Sequence, residues 1–103
     1  MLKLEVPHTL SRDDAKQRVD SVARYWASKY GVQVSWTGYR AKLSGKVLGI
    51  QIDANLEITD KKVEGEATDP GILFRNKARQ YITQKLLTAL DPSKAPADAA
   101  SRG

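Results

Sequence analysis

Four basic side chains occur close together in the stretch ILFRNKARQYITQKLL, residues 72–87, which contains no acidic residue. They are Arg75, Lys77, Arg79 and Lys85. Cations concentrated on one helix are typical of surfaces that bind the phosphates of nucleic acid or another anionic polymer. Arg and Lys at the margin of a packed helix face have another role, because their methylene stems cover apolar surface while the charged ends stay in water. The spacing of the four cations distinguishes the two roles.

The helical positions of these cations favour packing over nucleic-acid recognition. At about 100° per residue, the apolar stripe of this helix consists of Ala78, Ile82, Leu86 and Ala89. Arg75 and Arg79 lie along one edge of the stripe, Lys85 lies along the other, and Lys77 projects away from both. A helix that reads nucleic acid needs its cations to project together. We therefore do not expect nucleic-acid binding, and weak binding of this kind stays only as an alternative.

The edge positions of Arg75 and Arg79 predict ion pairs with Glu64 and Glu66, which share one side of the preceding strand. A second interpretation is a binding surface that uses exposed Leu side chains with flanking cations. Under that interpretation the candidate binding residues on this helix are Leu73, Arg75, Lys77, Arg79, Lys85 and Leu87.

Two aromatic residues are candidates for a different kind of site. Helices over a curved sheet can leave a pocket, and Trp36 and Tyr39 could line one that takes a small apolar molecule. Packing across the hairpin is the alternative role for Trp36, because a large apolar ring often anchors a tight turn.

The composition offers few groups for catalysis or metal binding. The chain has no cysteine and a single histidine, His8. The lack of cysteine excludes disulfides, thiolate nucleophiles and Cys-based zinc sites, and one histidine gives little basis for a nucleophile and base set. We predict that His8 makes hydrogen bonds at a strand-to-helix corner. We expect no enzymatic activity, no catalytic residue, no metal site and no cofactor.

The length and charge fit one small basic domain. The chain has 103 residues, of which 41% are hydrophobic and 28% charged, with a formal net charge of +5. That charge mildly favours anionic partners. No apolar run reaches the ~18 residues of a membrane span, and the N-terminus lacks the pattern of a secretory signal. We expect a cytoplasmic protein with no membrane span.

The first third of the chain predicts a strand followed by a long helix. Apolar and polar residues alternate over residues 1–6, and Pro7 ends the strand. Ser11 is typical of an N-cap and Gly31 of a C-terminal stop, with an amphipathic helix between them. The pairs Asp14–Arg18 and Asp20–Arg24 have i,i+4 spacing, which predicts a solvated outer face.

Four strands and a second helix are predicted from the rest of the chain. Thr37-Gly38 is predicted as a tight hairpin turn, and Ser44-Gly45 as the end of the next strand. From Leu48 to Ile58 every even position is apolar, which predicts one dry face and one wet face. Asp69-Pro70 is predicted as N-cap and first residue of the last helix.

These elements predict an α+β fold with the order β-α-β-β-β-β-α. An antiparallel β-meander carries two long helices on one face, and its other face is open. Residues 1–91 form the single domain, and residues 92–103 are predicted to be a disordered tail because they are rich in Pro, Ala and Ser. The open sheet face is a candidate surface for a homodimer.

Residues 2–91 resemble the polyhydroxyalkanoic acid system proteins, small bacterial proteins encoded in polyester storage regions. The resemblance begins with a short strand and the pattern H-x-L-S at His8 and continues with an Ala- and Arg-rich helix. It includes Y-G-V-x-x-x-W-x-G from Tyr30 to Gly38 and I-x-x-x-L-x-x-x-L-D from Ile82 to Asp91. The chain differs from the family pattern in the segment ATDPGILFRNKARQ, where family members often carry a run rich in Leu and Gly.

The resemblance implies an accessory or regulatory protein of storage-polyester metabolism that is not an enzyme. Its expected partners are a polyester granule or the proteins associated with one. A binding module for a small apolar molecule and a weak nucleic-acid-binding protein are the alternatives.

Overall fold

The computed structural model describes residues 2–47 and 49–93. It contains five strands and two helices in the predicted order and confirms the α+β class. The elements are β1 (Leu2–Pro7), α1 (Arg12–Tyr30), β2 (Gln33–Thr37), β3 (Arg40–Val47), β4 (Ile50–Ile58), β5 (Lys62–Ala67) and α2 (Arg75–Ala89).

The five strands form one open antiparallel sheet. Their order across the sheet is β1-β5-β4-β3-β2, so the four later strands form a meander and β1 adds to its outer edge beside β5. The two ends of that pairing are Leu2 opposite Ala67 and Pro7 opposite Lys62. Because antiparallel strands show alternate residues to the two faces, this register gathers the apolar residues on one face.

Both helices cover that apolar face and leave the other face open, as predicted. The largest fully buried side chains come from both layers: Leu2, Val6, Val19, Val22, Ile58, Val63 and Leu86. Helix α1 packs on β2, β3 and β4, whereas α2 packs on β1 and on α1. Each helix thus covers a different part of the sheet.

Helix α1 has the predicted caps. The Ser11 hydroxyl accepts a hydrogen bond from the Asp14 backbone N–H at 3.1 Å, and Gly31 adopts a left-handed conformation with φ 74° at the C-terminus. The two predicted ion pairs also form, with N–O distances of 3.2 Å for Arg18–Asp14 and 2.9 Å for Arg24–Asp20.

The prediction that this outer face is solvated is wrong at Arg18, which is buried. One of its guanidinium nitrogens donates to the carbonyl oxygens of Ala89 at 3.1 Å and Asp91 at 2.8 Å. These carbonyls belong to the end of α2, where the last backbone acceptors of a helix lack partners within the helix. Arg18 therefore links α1 to the C-terminus of α2.

The two predicted turns between β2 and β4 are displaced. Thr37 pairs with Arg40, so the tight turn is Gly38-Tyr39 and not Thr37-Gly38. Gly38 has φ 60°, which suits the first position of a two-residue hairpin turn. Strand β3 also continues past the predicted end at Ser44-Gly45 and reaches Val47.

The dry face predicted for β4 is dry over only part of its length. Leu56 and Ile58 are buried, Ile52 and Ala54 are half-buried, and Ile50 is 51% exposed. The β3–β4 hairpin extends past the cover of the helices, so alternation predicts the correct face but not its burial. Leu48 and residues 94–103, most of the predicted tail, lie outside the described residues.

The second helix begins later than predicted. Asp69 and Pro70 precede the helix, which starts at Arg75 with Phe74 as its N-cap. Gly71 has φ 101°, which lies outside the range of a right-handed helix. The chain therefore makes a turn over residues 71–74 before α2 begins. Asp69 caps this turn, because its carboxylate accepts the Gly71 backbone N–H at 2.9 Å.

Candidate functional site: an exposed apolar segment and an apolar groove

The turn before α2 exposes three consecutive large apolar side chains. Ile72 is 80% exposed, Leu73 is 84% exposed and Phe74 is 60% exposed. We call these three residues the apolar segment. The turn is closed by the Gly71 carbonyl oxygen, which accepts the backbone N–H groups of Phe74 at 3.1 Å and Arg75 at 2.9 Å. Contiguous apolar exposure of this kind marks an interaction surface more often than scattered single residues do.

The cations of α2 do not make the predicted contacts with β5. Arg75 Nε forms an ion pair with Asp69 Oδ2 at a distance of 2.8 Å. The Nε–H group does not point at the carboxylate closely enough to make a hydrogen bond. Glu64 and Glu66 pair instead with Lys62 at 3.0 Å and with Lys3 at 3.7 Å. The predicted pairing of Arg75 and Arg79 with these two glutamates is therefore wrong. The late helix start brings Arg75 to Asp69, and among the described residues Arg79 pairs with neither glutamate.

Asp69 is held in its ionised form by its surroundings. The hydrogen bond from the Gly71 backbone N–H lowers the pKa of Asp69, and the nearby Arg75 guanidinium lowers the pKa further against the opposing effect of burial. Asp69 thus fixes both the turn that presents the apolar segment and the first residue of α2.

The remaining cations of α2 separate into two environments. Lys77 and Arg79 are exposed near the start of the helix, whereas Lys85 is only 4% exposed. The Lys85 ammonium lies 4.2 Å from the centroid of the Tyr25 ring on α1, a cation–π contact. The predicted set of four cations does not form one surface, which agrees with their dispersal around the helix.

An apolar groove lies between the two helices and the sheet. Its volume is about 360 Å³. Helix α1 contributes Trp26 and Tyr30, helix α2 contributes Ala78, Tyr81 and Ile82, and the strands supply the floor. The floor consists of Leu4, Val32, Leu43, Val47, Ile52, Ala54, Leu56, Gly65, Glu66 and Ala67.

Small residues explain why the groove is not filled. Ala54, Gly65 and Ala67 lie on the sheet below it, and Ala78 is the α2 residue above it. Gly65 is required for a different reason, because the space above it is already filled and an added Cβ would lie 2.8 Å from Leu56 Cδ2 and 3.2 Å from Leu4 Cδ1. The groove therefore forms where small side chains coincide with a part of the sheet that the two helices leave partly uncovered.

Trp26, Tyr30 and Tyr81 are the aromatic residues that line the groove, and Lys29 lies beside Tyr30 without lining the groove itself. The Trp26 indole N–H donates to the Tyr81 hydroxyl at 3.2 Å, which links the two helices. Burial raises the pKa of Tyr81. Lys29 donates to the Tyr25 hydroxyl at 3.1 Å, and this hydrogen bond raises the pKa of Lys29. The Lys29 ammonium also lies 5.5 Å from the Tyr30 ring centroid.

The aromatic residues that line the groove differ from those that the sequence indicated. Trp36 donates to the Asp20 carboxylate at 2.8 Å, and the Tyr39 hydroxyl donates to Asp13 at 2.6 Å. The hydrogen bond to Asp13 raises the pKa of Tyr39. The Arg12 guanidinium stacks over Tyr39 at 4.0 Å, so both aromatic rings pack against α1 and neither lines the groove.

Trp26 and Ile82 lie at apolar positions of α1 and α2, where helical spacing predicts core packing. Both pack against the core, but both are only half-buried. Helical spacing correctly identified the faces on which they lie. The sequence offered no signal for the gap between α1 and α2, because that gap depends on where each helix crosses the sheet.

The open sheet face is covered with charged side chains. Cross-strand ion pairs join Lys62 to Glu5 at 3.3 Å and Arg40 to Glu57 at 3.2 Å. Such exposed pairs contribute little to stability, and they give this face a largely charged surface. The homodimer through this face stays a prediction.

His8 makes the predicted hydrogen bonds at the corner between β1 and α1. Its Nδ1 accepts the Leu10 backbone N–H at 3.1 Å, and its Nε2 lies 2.9 Å from the Thr59 carbonyl oxygen. The ring therefore carries its proton on Nε2 and joins the corner to the end of β4. Within residues 2–47 and 49–93, no three His, Asp or Glu side chains come close enough to hold a metal ion.

The fold and these two features define a small basic α+β domain with an open sheet, an apolar groove and an exposed apolar segment. In the part of the chain that the structure describes, neither helix is long and apolar enough to cross a membrane. The model of the polyhydroxyalkanoic acid system protein family matches residues 2–93, and the chain belongs to this family. Comparison with curated proteins and comparison with solved structures each give no match.

Proposed function

We propose that this protein is a non-enzymatic accessory protein of polyester storage that attaches to the granule through its apolar segment. The observation that carries the proposal is the exposure of Ile72, Leu73 and Phe74 next to one another on a single turn. Membership of the polyhydroxyalkanoic acid system family supports the polyester as the apolar surface that these residues meet. The proposal places the protein in the cytoplasm, at the granule surface.

The physical basis is the removal of apolar side chains from water. Burial of an Ile, Leu or Phe side chain contributes about 1.5 to 3 kcal/mol, so three together can overcome much of the cost of attachment. Lys77 and Arg79 follow within two turns of α2 and are exposed. Their N–H groups can donate to the ester carbonyls of a polyester, which orients the segment without requiring a pocket.

The arrangement of His8 supports a role other than catalysis. Both ring nitrogens already make hydrogen bonds, to the Leu10 N–H and to the Thr59 carbonyl. A general base needs a free nitrogen within reach of substrate, and this ring would first have to break its structural contacts. Arg75 is paired with Asp69 and Lys85 is buried, so these two cations give little support to nucleic-acid binding.

The test is cosedimentation with particles of amorphous poly(3-hydroxybutyrate). A variant carrying Ile72→Ser, Leu73→Ser and Phe74→Ser should remain in the supernatant, while the wild type sediments with the particles. Leu87→Ser is the matched control, because 13 residues of helix place it about 20 Å from Phe74. Leu87 is also exposed, at 39%.

Two results would reject the proposal. Equal sedimentation of the triple variant and the wild type would show that the apolar segment does not attach the protein. Turnover of polyester or acyl-thioester substrate by the purified wild type, abolished in His8→Ala, would show that the protein is an enzyme. DNA added as a competitor should not displace the wild type from the particles.

A further inference from the structure

The groove has the features of a site for a flexible apolar ligand. Its volume of about 360 Å³ lies at the lower end of the ~300 to 1,000 Å³ range of ligand sites. Its lining is apolar except for Glu66 and the polar ends of the aromatic residues. The Glu66 carboxylate forms an exposed ion pair with Lys3, its cross-strand neighbour, at 3.7 Å, and both residues also line the cleft on the open sheet face.

A lysine beside the aromatic lining of the groove indicates the charge of the ligand. Lys29 contacts the hydroxyl of Tyr25 and the rings of Tyr25 and Tyr30, and no carboxylate is among the contacts found for it in the described part of the chain. An ammonium group beside tyrosine hydroxyls suits a carboxylate, which accepts hydrogen bonds from both kinds of donor.

We propose that the groove binds a single-chain aliphatic carboxylate, with the chain over Ala54 and Ala78 and the carboxylate toward Lys29. An unbranched chain suits a site lined by aliphatic and aromatic side chains, because it can follow the space between helix and sheet. The site is separate from the apolar segment, since Ile72, Leu73 and Phe74 are not among its lining residues.

The two tryptophans allow a direct measurement. Trp26 lines the groove, whereas Trp36 is bonded to Asp20 away from it. In Trp36→Phe, the emission of Trp26 alone therefore reports on the groove. Dodecanoate, added below its critical micelle concentration, should shift this emission to shorter wavelength in a saturable way. Dodecanol should bind more weakly, and dodecyltrimethylammonium weaker still.

Variants in the Trp36→Phe background locate the site. Ala78→Phe fills the groove from α2 and should weaken dodecanoate binding by at least about tenfold, which corresponds to about 1.4 kcal/mol. Asn76→Phe adds the same ring to an exposed position on the same helix and should bind as the parent does. Ala54→Leu fills the groove from the sheet and replaces Ala78→Phe if that variant does not fold.

The charge beside the groove is tested by Lys29→Gln. This change should weaken dodecanoate binding about threefold to fivefold, the range of an exposed ion pair, and leave dodecanol binding unchanged. Lys61→Gln, an exposed lysine on the turn before β5, is the control.

Three outcomes would overturn the inference. These are an unchanged Trp26 emission up to the solubility limit of dodecanoate, full binding by Ala78→Phe and Ala54→Leu, and a preference for the cationic amphiphile. The apolar-segment triple variant should bind dodecanoate normally, so failure of granule attachment and failure of the groove inference give different results.

Discussion

Arg18 should be the charged residue whose loss destabilises this fold most, because it joins the two helices from a buried position. The informative change is Arg18→Met, which keeps an unbranched apolar stem and removes the guanidinium. It deletes the hydrogen bonds to the Ala89 and Asp91 carbonyls and the ion pair with Asp14. The end of α2 then loses a partner for its last carbonyl groups.

The expected cost follows from the burial of each contact. The bond to Ala89 is buried and the bond to Asp91 is partly buried, and a buried acceptor left without a donor costs about 1 to 3 kcal/mol. The Asp14 side chain is 41% exposed, so solvent screening reduces the contribution of that ion pair to a few tenths of a kcal/mol. Together we expect a loss of about 2 to 5 kcal/mol, a large share of the ~5 to 15 kcal/mol of a small domain.

The chain provides a matched control on the same helix. Arg24 pairs with Asp20 at the same i,i+4 spacing, but its side chain is 80% exposed. Arg24→Met should therefore cost no more than about 0.5 kcal/mol. Equilibrium unfolding in urea, followed by circular dichroism, measures both changes as free energies when the slope with denaturant is unchanged.

The difference between the two variants is the decisive quantity. Equal free energies of unfolding for Arg18→Met and Arg24→Met would show that the contacts of Arg18 with the end of α2 contribute nothing. Amide hydrogen exchange gives a second measurement, because Arg18→Met should speed exchange in the last turn of α2 more than in α1.

Two further predictions concern the groove and the turn before α2. Leu86 is fully buried, so Leu86→Ala should lower the free energy of unfolding by about 3 to 5 kcal/mol. Ile82 borders the groove, so Ile82→Ala should lower the free energy of unfolding by less. Equal losses in the two variants would argue against an open groove at Ile82. The pKa of Asp69 is lowered in the folded protein from its ordinary 3.8, so its stabilising effect is fully present above that pH and is lost as the pH falls through the folded value. The stability difference between wild type and Asp69→Asn should therefore shrink below about pH 4 in urea titrations at several pH values; a difference that grows on acidification would contradict the sign.

The sequence determined the elements and their order because their signals are local. Ser11 and Gly31 bound α1 through contacts within one turn of the helix, and alternation selects the buried face of each strand. The corner role of His8 also followed from its position between a strand and an N-cap. The displaced turn at Gly38-Tyr39 shows the limit of such signals, since the pairing of β2 with β3 fixes the register.

The tertiary structure alone decided the contacts of Arg18, the groove and the ion pair of Arg75. Arg18 reaches the end of α2 across 71 positions of sequence, and the groove depends on the separation of two helices that are far apart in the chain. Arg75 lies beside Asp69 and not beside Glu64 because Gly71 delays the helix. Helical periodicity records which side of a helix is apolar but carries no information on whether a neighbour covers that side. For this reason the same pattern that placed Trp26 and Ile82 toward the sheet could not reveal the groove between them.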